Sequence, residues 1–277
     1  MLFSGGEVKP GPSIEWTRTG AGRFGETMKS RRHFLGLTTA MGVVAVLPGC
    51  VMRAPLATGE HVQTFSGVVS KRVTLRYLLW LPEAAGRPAG GWPLMIFLHG
   101  SGERGNDLAR VKAHGPPKYA AAGRPFPFIL VAPQVAEGMA WDSDGLEALR
   151  ADLVARLPID PDRVVLTGMS MGGYGTWNYA VDYPDRLAAI APVCGSGDSD
   201  RAERIVHLPV WAFHGALDTA VPPAGDEEMV TAVNAAGGRA KFTLYPDVGH
   251  NAWDQAYADP ALYAWLLAQR RGQAARS

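Results

Sequence analysis

Three residues of this chain have types and surroundings suited to covalent catalysis: Ser170, Asp218 and His250, in that chain order. A serine hydroxyl is a weak nucleophile until an imidazole takes its proton. The imidazole needs a carboxylate behind it to fix its tautomer and to stabilise the imidazolium that forms. The chemistry in prospect is attack of Ser170 on a carbonyl carbon, with His250 as base and then acid, and Asp218 as the orienting carboxylate. Ser170 is the centre of Gly168-Met169-Ser170-Met171-Gly172, which follows Val164-Val165-Leu166-Thr167 and precedes a helix-like stretch over 175–183. The pattern predicts a sharp strand-to-helix turn, where neighbouring side chains would collide unless they were glycine. The N–H of Met171 then lies at a helix N-terminus and can face a developing oxyanion.

Other elements must bring the partners to that turn. A continuous apolar run over 93–98 predicts a strand covered on both faces. It ends in His99-Gly100-Ser101-Gly102-Glu103-Arg104-Gly105, small residues whose backbone could approach a substrate oxygen. Ser101 is the first choice for the second oxyanion donor and Gly102 the alternative. His99 is read as a brace of that loop, as are Glu103 and Arg104 through a local pair. A strand over 128–132 ends near Gln134 and Trp141, which become substrate-pocket candidates together with Trp253; a core role is the bland alternative for the tryptophans. The strand over 209–213 runs into His214 and Asp218, and the one over 240–245 runs into His250. Asp247 is read as a turn residue, Asp254 as a helix-surface residue and His214 as a structural hydrogen-bonding residue. His61, His114 and His207 have no supporting motif, and Ser196 and Ser199 lie in a loop with no helix following.

The remaining pattern supplies strands over 64–69 and 73–81, a short helix with irregular flanks within 107–127, and an amphipathic helix over 144–157. Leu146, Leu149, Leu153, Val154 and Leu157 make one apolar face of that helix. Residues 159–163 read as a turn. Helices follow over 226–236 and 262–269. Strands alternating with helices point to an α/β fold with one mainly parallel sheet and helices on both faces.

The chain has 277 residues, 47% hydrophobic and 19% charged, with a formal net charge of +1. That balance gives no reason to expect a nucleic-acid partner. Two cysteines, Cys50 and Cys194, are too few for a disulfide framework. Cys194, after an apolar run, is read as a small buried residue. No metal-ligand cluster, phosphate-binding loop or dinucleotide glycine motif is evident, so no metal or cofactor is expected. Residues 1–62 read as an address: an irregular leader, then Lys29-Ser30-Arg31-Arg32-His33-Phe34-Leu35 and an apolar stretch to Leu47. Ser-Arg-Arg-x-Phe-Leu resembles a twin-arginine export signal, with translation expected to start at Met28. Leu47-Pro48-Gly49-Cys50 resembles a lipoprotein box with Cys50 as the lipidated residue; Pro48 departs from that pattern, and ordinary cleavage nearby is the alternative. The expected location is the periplasm or, with a lipid anchor, the outer membrane. Residues 63–277 are expected to form one domain, and the sequence does not decide its oligomeric state.

With these motifs in hand, the chain resembles a family of secreted bacterial α/β-hydrolases. The resemblance rests on 98–105, on 167–177 around Ser170, on 209–215 and on Gly249-His250-Asn251-Ala252-Trp253, and covers roughly 72–269. The family includes predicted peptidases, phospholipase/carboxylesterase-type and dienelactone hydrolase-like esterases, related to feruloyl and acetylxylan esterases and polyhydroxybutyrate depolymerases. It implies an α/β-hydrolase fold, the nucleophile–acid–base order Ser170, Asp218, His250, and no cofactor. Dienelactone hydrolase itself uses a cysteine nucleophile, so Ser170 argues against that particular reaction. The expectation is a serine esterase acting through an acyl-enzyme on a small-molecule or polysaccharide-linked ester. A serine peptidase is the runner-up, and it would be expected to carry a large insertion for which this chain has no room. A catalytically silent envelope lipoprotein is the reading from another class.

Overall fold

The computed structural model describes residues 70–273. The leader, the twin-arginine and lipobox readings with Cys50, His61 and the expected strand over 64–69 lie outside the described residues. Seven strands build one sheet: β1 (Arg76–Trp80), β2 (Trp92–Leu98), β3 (Ile129–Gln134), β4 (Ile159–Met169), β5 (Ala189–Val193), β6 (Val210–Gly215) and β7 (Ala240–Tyr245). Their spatial order is β1-β3-β2-β4-β5-β6-β7. Only β1 is antiparallel to its neighbour, with Arg76 opposite Gln134 and Trp80 opposite Leu130. The six others run parallel, so their carboxyl ends share one edge of the sheet. Loops leaving that edge are where an α/β protein assembles a site.

Period-two alternation along the strands divides the core between the two faces. Leu94, Ile96, Leu98, Val164, Leu166 and Val210 point to one face. There they meet α2 (Ser143–Arg156), α3 (Met171–Asp182) and α4 (Ala224–Ala235). Met95, Phe97, Val165, Met169 and Phe213 point to the other, against α5 (Trp253–Ala258) and α6 (Pro260–Ala268). β2 is buried along its whole length, as its unbroken apolar run requires.

Several boundaries differ from the sequence reading. The expected turn over 159–163 is part of β4: Ile159 pairs with Trp92 across an irregularity before Leu94. The irregularity absorbs Pro161, which has no N–H to give the ladder. The first strand begins at Arg76 rather than Val73, where the end of β3 gives it a partner. Residues 107–127 hold two short helical pieces, a 3-10 stretch over Leu108–Ala113 and α1 (Gly115–Ala121). Pro116 and Pro117 sit in the first turn of α1, the part of a helix that tolerates proline. No helix among the described residues is long and apolar enough to cross a membrane.

Candidate active site

The strand-to-helix turn between β4 and α3 is tight enough to hold Ser170 at φ 52°, ψ −119°, a region costing a non-glycine residue about 1–3 kcal/mol. Packing keeps it there. A Cβ on Gly172 would lie 2.0 Å from the Leu98 carbonyl oxygen, so only glycine lets the start of α3 press on the end of β2. The Ser170 N–H donates to the Val193 carbonyl at 2.9 Å, tying the turn to β5. The hydroxyl is thereby presented at the carboxyl edge of the sheet.

Loops after β6 and β7 deliver the partners. His250 Nε2 is 2.9 Å from Ser170 Oγ, and His250 Nδ1 is 2.7 Å from Asp218 Oδ2. The Asp218 side chain is fully buried, while the His250 side chain keeps 28% exposure. Asp218 Oδ1 accepts from the N–H groups of Ala220 and Val221, both at 2.9 Å. Burial alone would raise the Asp218 pKa, but the hydrogen bonds from His250, Val221 and Ala220 prevail and hold it below the ordinary carboxylate value. The arrangement can accept a proton from Ser170 at one ring nitrogen while the other stays bonded to a carboxylate.

The loop after β2 passes beside this turn, since Gly172 is wedged against both Leu98 and His99. Ser101 and Gly102 lie in a single 3-10 turn, Ser101–Glu103, directly after the 98–100 stretch that packs against Met169 and Gly172. His99 braces it: Nδ1–H donates to the Gly100 carbonyl at 2.6 Å, and Nε2 accepts from the Val135 N–H at 3.2 Å. Burial lowers its pKa to about 4, so the ring is neutral. Arg110 holds the same loop by donating to the carbonyls of Gly102 and Arg104, at 2.5 and 2.6 Å. The expected Glu103–Arg104 pair is not formed; the Glu103 carboxylate instead faces His114 Nε2 at 3.8 Å.

Of the pocket candidates, Trp141 lies at the nucleophile. Its Nε1 donates to the His99 carbonyl at 3.0 Å, and it lines a cavity of about 350 Å³ with Ser170, Met171, Tyr174 and Asn178. Trp253 stands edge-on to His250, ring centroids 5.0 Å apart, and edge-on to His114. Gln134 is a correction. It is buried, and its Nε2 donates to the carbonyls of Glu103 and Asp107, both at 2.8 Å. The antiparallel β1 edge covers the end of β3, so Gln134 clasps the loop and is absent from the lining of the cavity at Ser170. A larger cavity of about 680 Å³, between Trp80, Trp92, Arg124 and Phe126, includes none of the three triad residues.

The sequence reading passed over four contributors. Tyr174 and Asn178 lie one and two turns into α3, and helical periodicity from Ser170 would have found them. His114 offered no motif and is placed by the fold of the loop. Asp226 read only as a helix start, yet it bonds His214 Nδ1 at 2.7 Å.

The fold is the α/β-hydrolase fold. Residues 132–261, which include Ser170, Asp218 and His250, match the sequence profile of the Dienelactone hydrolase family. A Salmonella typhimurium protein named "Putative carboxymethylenebutenolidase" is 28% identical over 153 residues, covering 44% of this chain and 57% of that protein. Poly(3-hydroxyalkanoate) depolymerase C of Paucimonas lemoignei is 30% identical over 128 residues, covering 40% of this chain and 29% of the depolymerase. The crystal structure of a thermostable esterase superposes with a TM-score of 0.61 at 30% identity, covering 71% of this chain and 60% of that one. The chain thus spans little more than half the length of the Salmonella relative.

Proposed function

We propose that this protein is a serine hydrolase that cleaves carboxylic esters through an acyl-enzyme. The observation that carries the reading is the pair of hydrogen bonds joining Ser170, His250 and Asp218 at 2.9 and 2.7 Å around a strained Ser170 backbone. In this reading Ser170 Oγ attacks the ester carbonyl as its proton passes to His250 Nε2. The N–H groups of Met171 and Ser101, with Gly102 the alternative to Ser101, receive the oxyanion; one such donor is worth about 3 kcal/mol in comparable enzymes. His250 then gives the proton to the departing alcohol, and water releases the acid by the same path reversed. Trp141 and Trp253 border the reacting groups, and their aromatic faces suit a phenolic or sugar-linked ester.

A fluorophosphonate probe should label the protein at Ser170 and leave Ser170→Ala unlabelled. An unlabelled wild-type protein would favour the silent lipoprotein reading. Turnover of p-nitrophenyl acetate, methyl ferulate, acetylated xylan and an aminoacyl p-nitroanilide separates ester from amide preference. Faster release from the anilide than from every ester would replace the esterase reading with a peptidase. We further propose export through Arg31-Arg32 and lipid attachment at Cys50. Metabolic labelling with a palmitate analogue that Cys50→Ser abolishes is the expected result.

A further inference from the structure

Behind the triad lies a second histidine–carboxylate pair that the ester chemistry does not call upon. His214, the penultimate residue of β6, and Asp226, in the first turn of α4, both have side chains with 0% exposure. His214 Nδ1 is 2.7 Å from Asp226 Oδ2. Its Nε2 is 2.9 Å from the Val221 carbonyl oxygen and 3.2 Å from Asp218 Oδ2. Asp226 is itself fully engaged, with Oδ1 accepting from Trp177 Nε1 at 2.5 Å and Oδ2 from the Gly195 N–H at 2.9 Å.

The partners dictate the protonation state. A peptide carbonyl can only accept, so Nε2 beside Val221 must carry a proton. Nδ1 faces a carboxylate whose other contacts are all donors, so a single proton must lie between Nδ1 and Oδ2. We propose that His214 is a buried imidazolium, clamped by Asp226, that positions the carboxylate of Asp218 and moderates the charge it presents to His250.

The groups packed around His214 agree with this. Asp226 comes from α4 and Asp218 from the loop after β6. Cys194, at the end of β5, is the third side chain there: its sulfur, a His214 nitrogen and an Asp218 oxygen lie within 4.8 Å of one another. Burial, with Asp218 and Asp226 nearby, pushes the Cys194 thiol up to about 12, so it contributes no charge. Burial opposes the charge on His214, but the Asp226 hydrogen bond prevails and its pKa is raised. Two carboxylates thus share one fixed cation. Position follows as well: the ring grips Val221 through its carbonyl, and the Val221 N–H grips Asp218 Oδ1. His214 acts through Asp218 and touches neither Ser170 nor His250.

This inference rests on the triad reading, so one of its tests is independent of activity. In the wild-type protein labelled with ¹⁵N-histidine, both ring nitrogens of His214 should show imidazolium shifts at pH 7.5, with protons slow to exchange. A neutral ring, with one nitrogen unprotonated at that pH, would overturn the proposal whatever the enzyme does. In the kinetic arm, His214→Gln keeps a donor but loses the charge. Removing the cation strengthens the field of Asp218 on His250 and favours its protonation. The acid limb of the kcat/KM profile should therefore move to higher pH by about one unit, with kcat down about 10- to 100-fold and KM within about threefold. Asp226→Asn should move the limb in the same direction, because His214 can then shed its proton. A folded His214→Gln with an unmoved acid limb would reduce the pair to a structural clamp. Should the variants fail to fold, the wild-type ¹⁵N spectrum still decides. Fluorophosphonate labelling of Ser170 separates failure of this proposal from failure of the esterase reading.

Discussion

The two flanks of Ser170 are held in different ways. On the acid flank, both ring nitrogens of His214 and both carboxylate oxygens of Asp218 and Asp226 have partners. On the loop flank, Glu103 Oε2, Arg104 Nε, His114 Nδ1, Gln134 Oε1 and Trp253 Nε1 are buried with no hydrogen-bond partner among the described residues. The loop owes its shape to bonds made to its backbone, from Arg110, Gln134 and Trp141. The acid flank is a closed electrostatic network, and the loop flank is a backbone frame with slack in its side chains. In a medium of low polarity, charge must be paired to be held still, whereas a backbone frame tolerates side-chain change.

The largest effect that probes this contrast is at the triad. Asp218→Asn should lower ester turnover by about 10⁴-fold by inverting the tautomer that His250 needs. Asp247→Asn, only three residues before the base in sequence but outside the triad, should stay within about twofold. Loss of activity in the second and not the first would transfer the acid role. Next is stability: Asp226→Ala breaks a fully buried pair and should cost about 3–5 kcal/mol, read as a fall in the urea midpoint. The folded-state pKa of His214 is raised, so the pair's contribution is complete below the unfolded value of about 6.5 and fades as pH rises through the folded value. The penalty of Asp226→Ala should therefore be greater at pH 6 than at alkaline pH, and a penalty independent of pH would remove the charge from the argument.

Smaller again is Trp141→Ala, which opens the cavity at Ser170 and should raise KM about tenfold for aryl esters and less for acetyl esters. Equal loss on both would make Trp141 a strut for the His99 carbonyl rather than a pocket wall. The smallest effect is expected at the slack flank. Glu103→Gln should change stability by about 1 kcal/mol or less, measured as a Tm shift of a few degrees. A drop as large as that of Asp226→Ala would mean that both flanks are closed networks.

The strands were legible in outline because their residues report their own burial. The run over 93–98 is apolar throughout since β2 is covered on both faces, and the 226–236 helix lies within two residues of α4. Less legible were the bend at Pro161, which β4 passes through as a strand, and Gln134, whose place after a strand suggested a pocket. Its role depends on β1 returning to cover that edge, a pairing between segments some 55 residues apart with no local signature.

What the sequence determined by itself is the chain order of Ser170, Asp218 and His250, each just past a strand, and the glycines that let the Ser170 turn close. These are local: they follow from hydrophobic period, turn chemistry and the absence of a Cβ. Only the tertiary structure decided that His214 and Asp226 meet behind Asp218. That contact joins the end of β6 to the first turn of α4, with Trp177 from α3 and Gly195 from beyond β5 completing it. No single segment encodes its strength, because a buried charge is tolerated only where separate elements converge to surround it with opposite charge and hydrogen bonds.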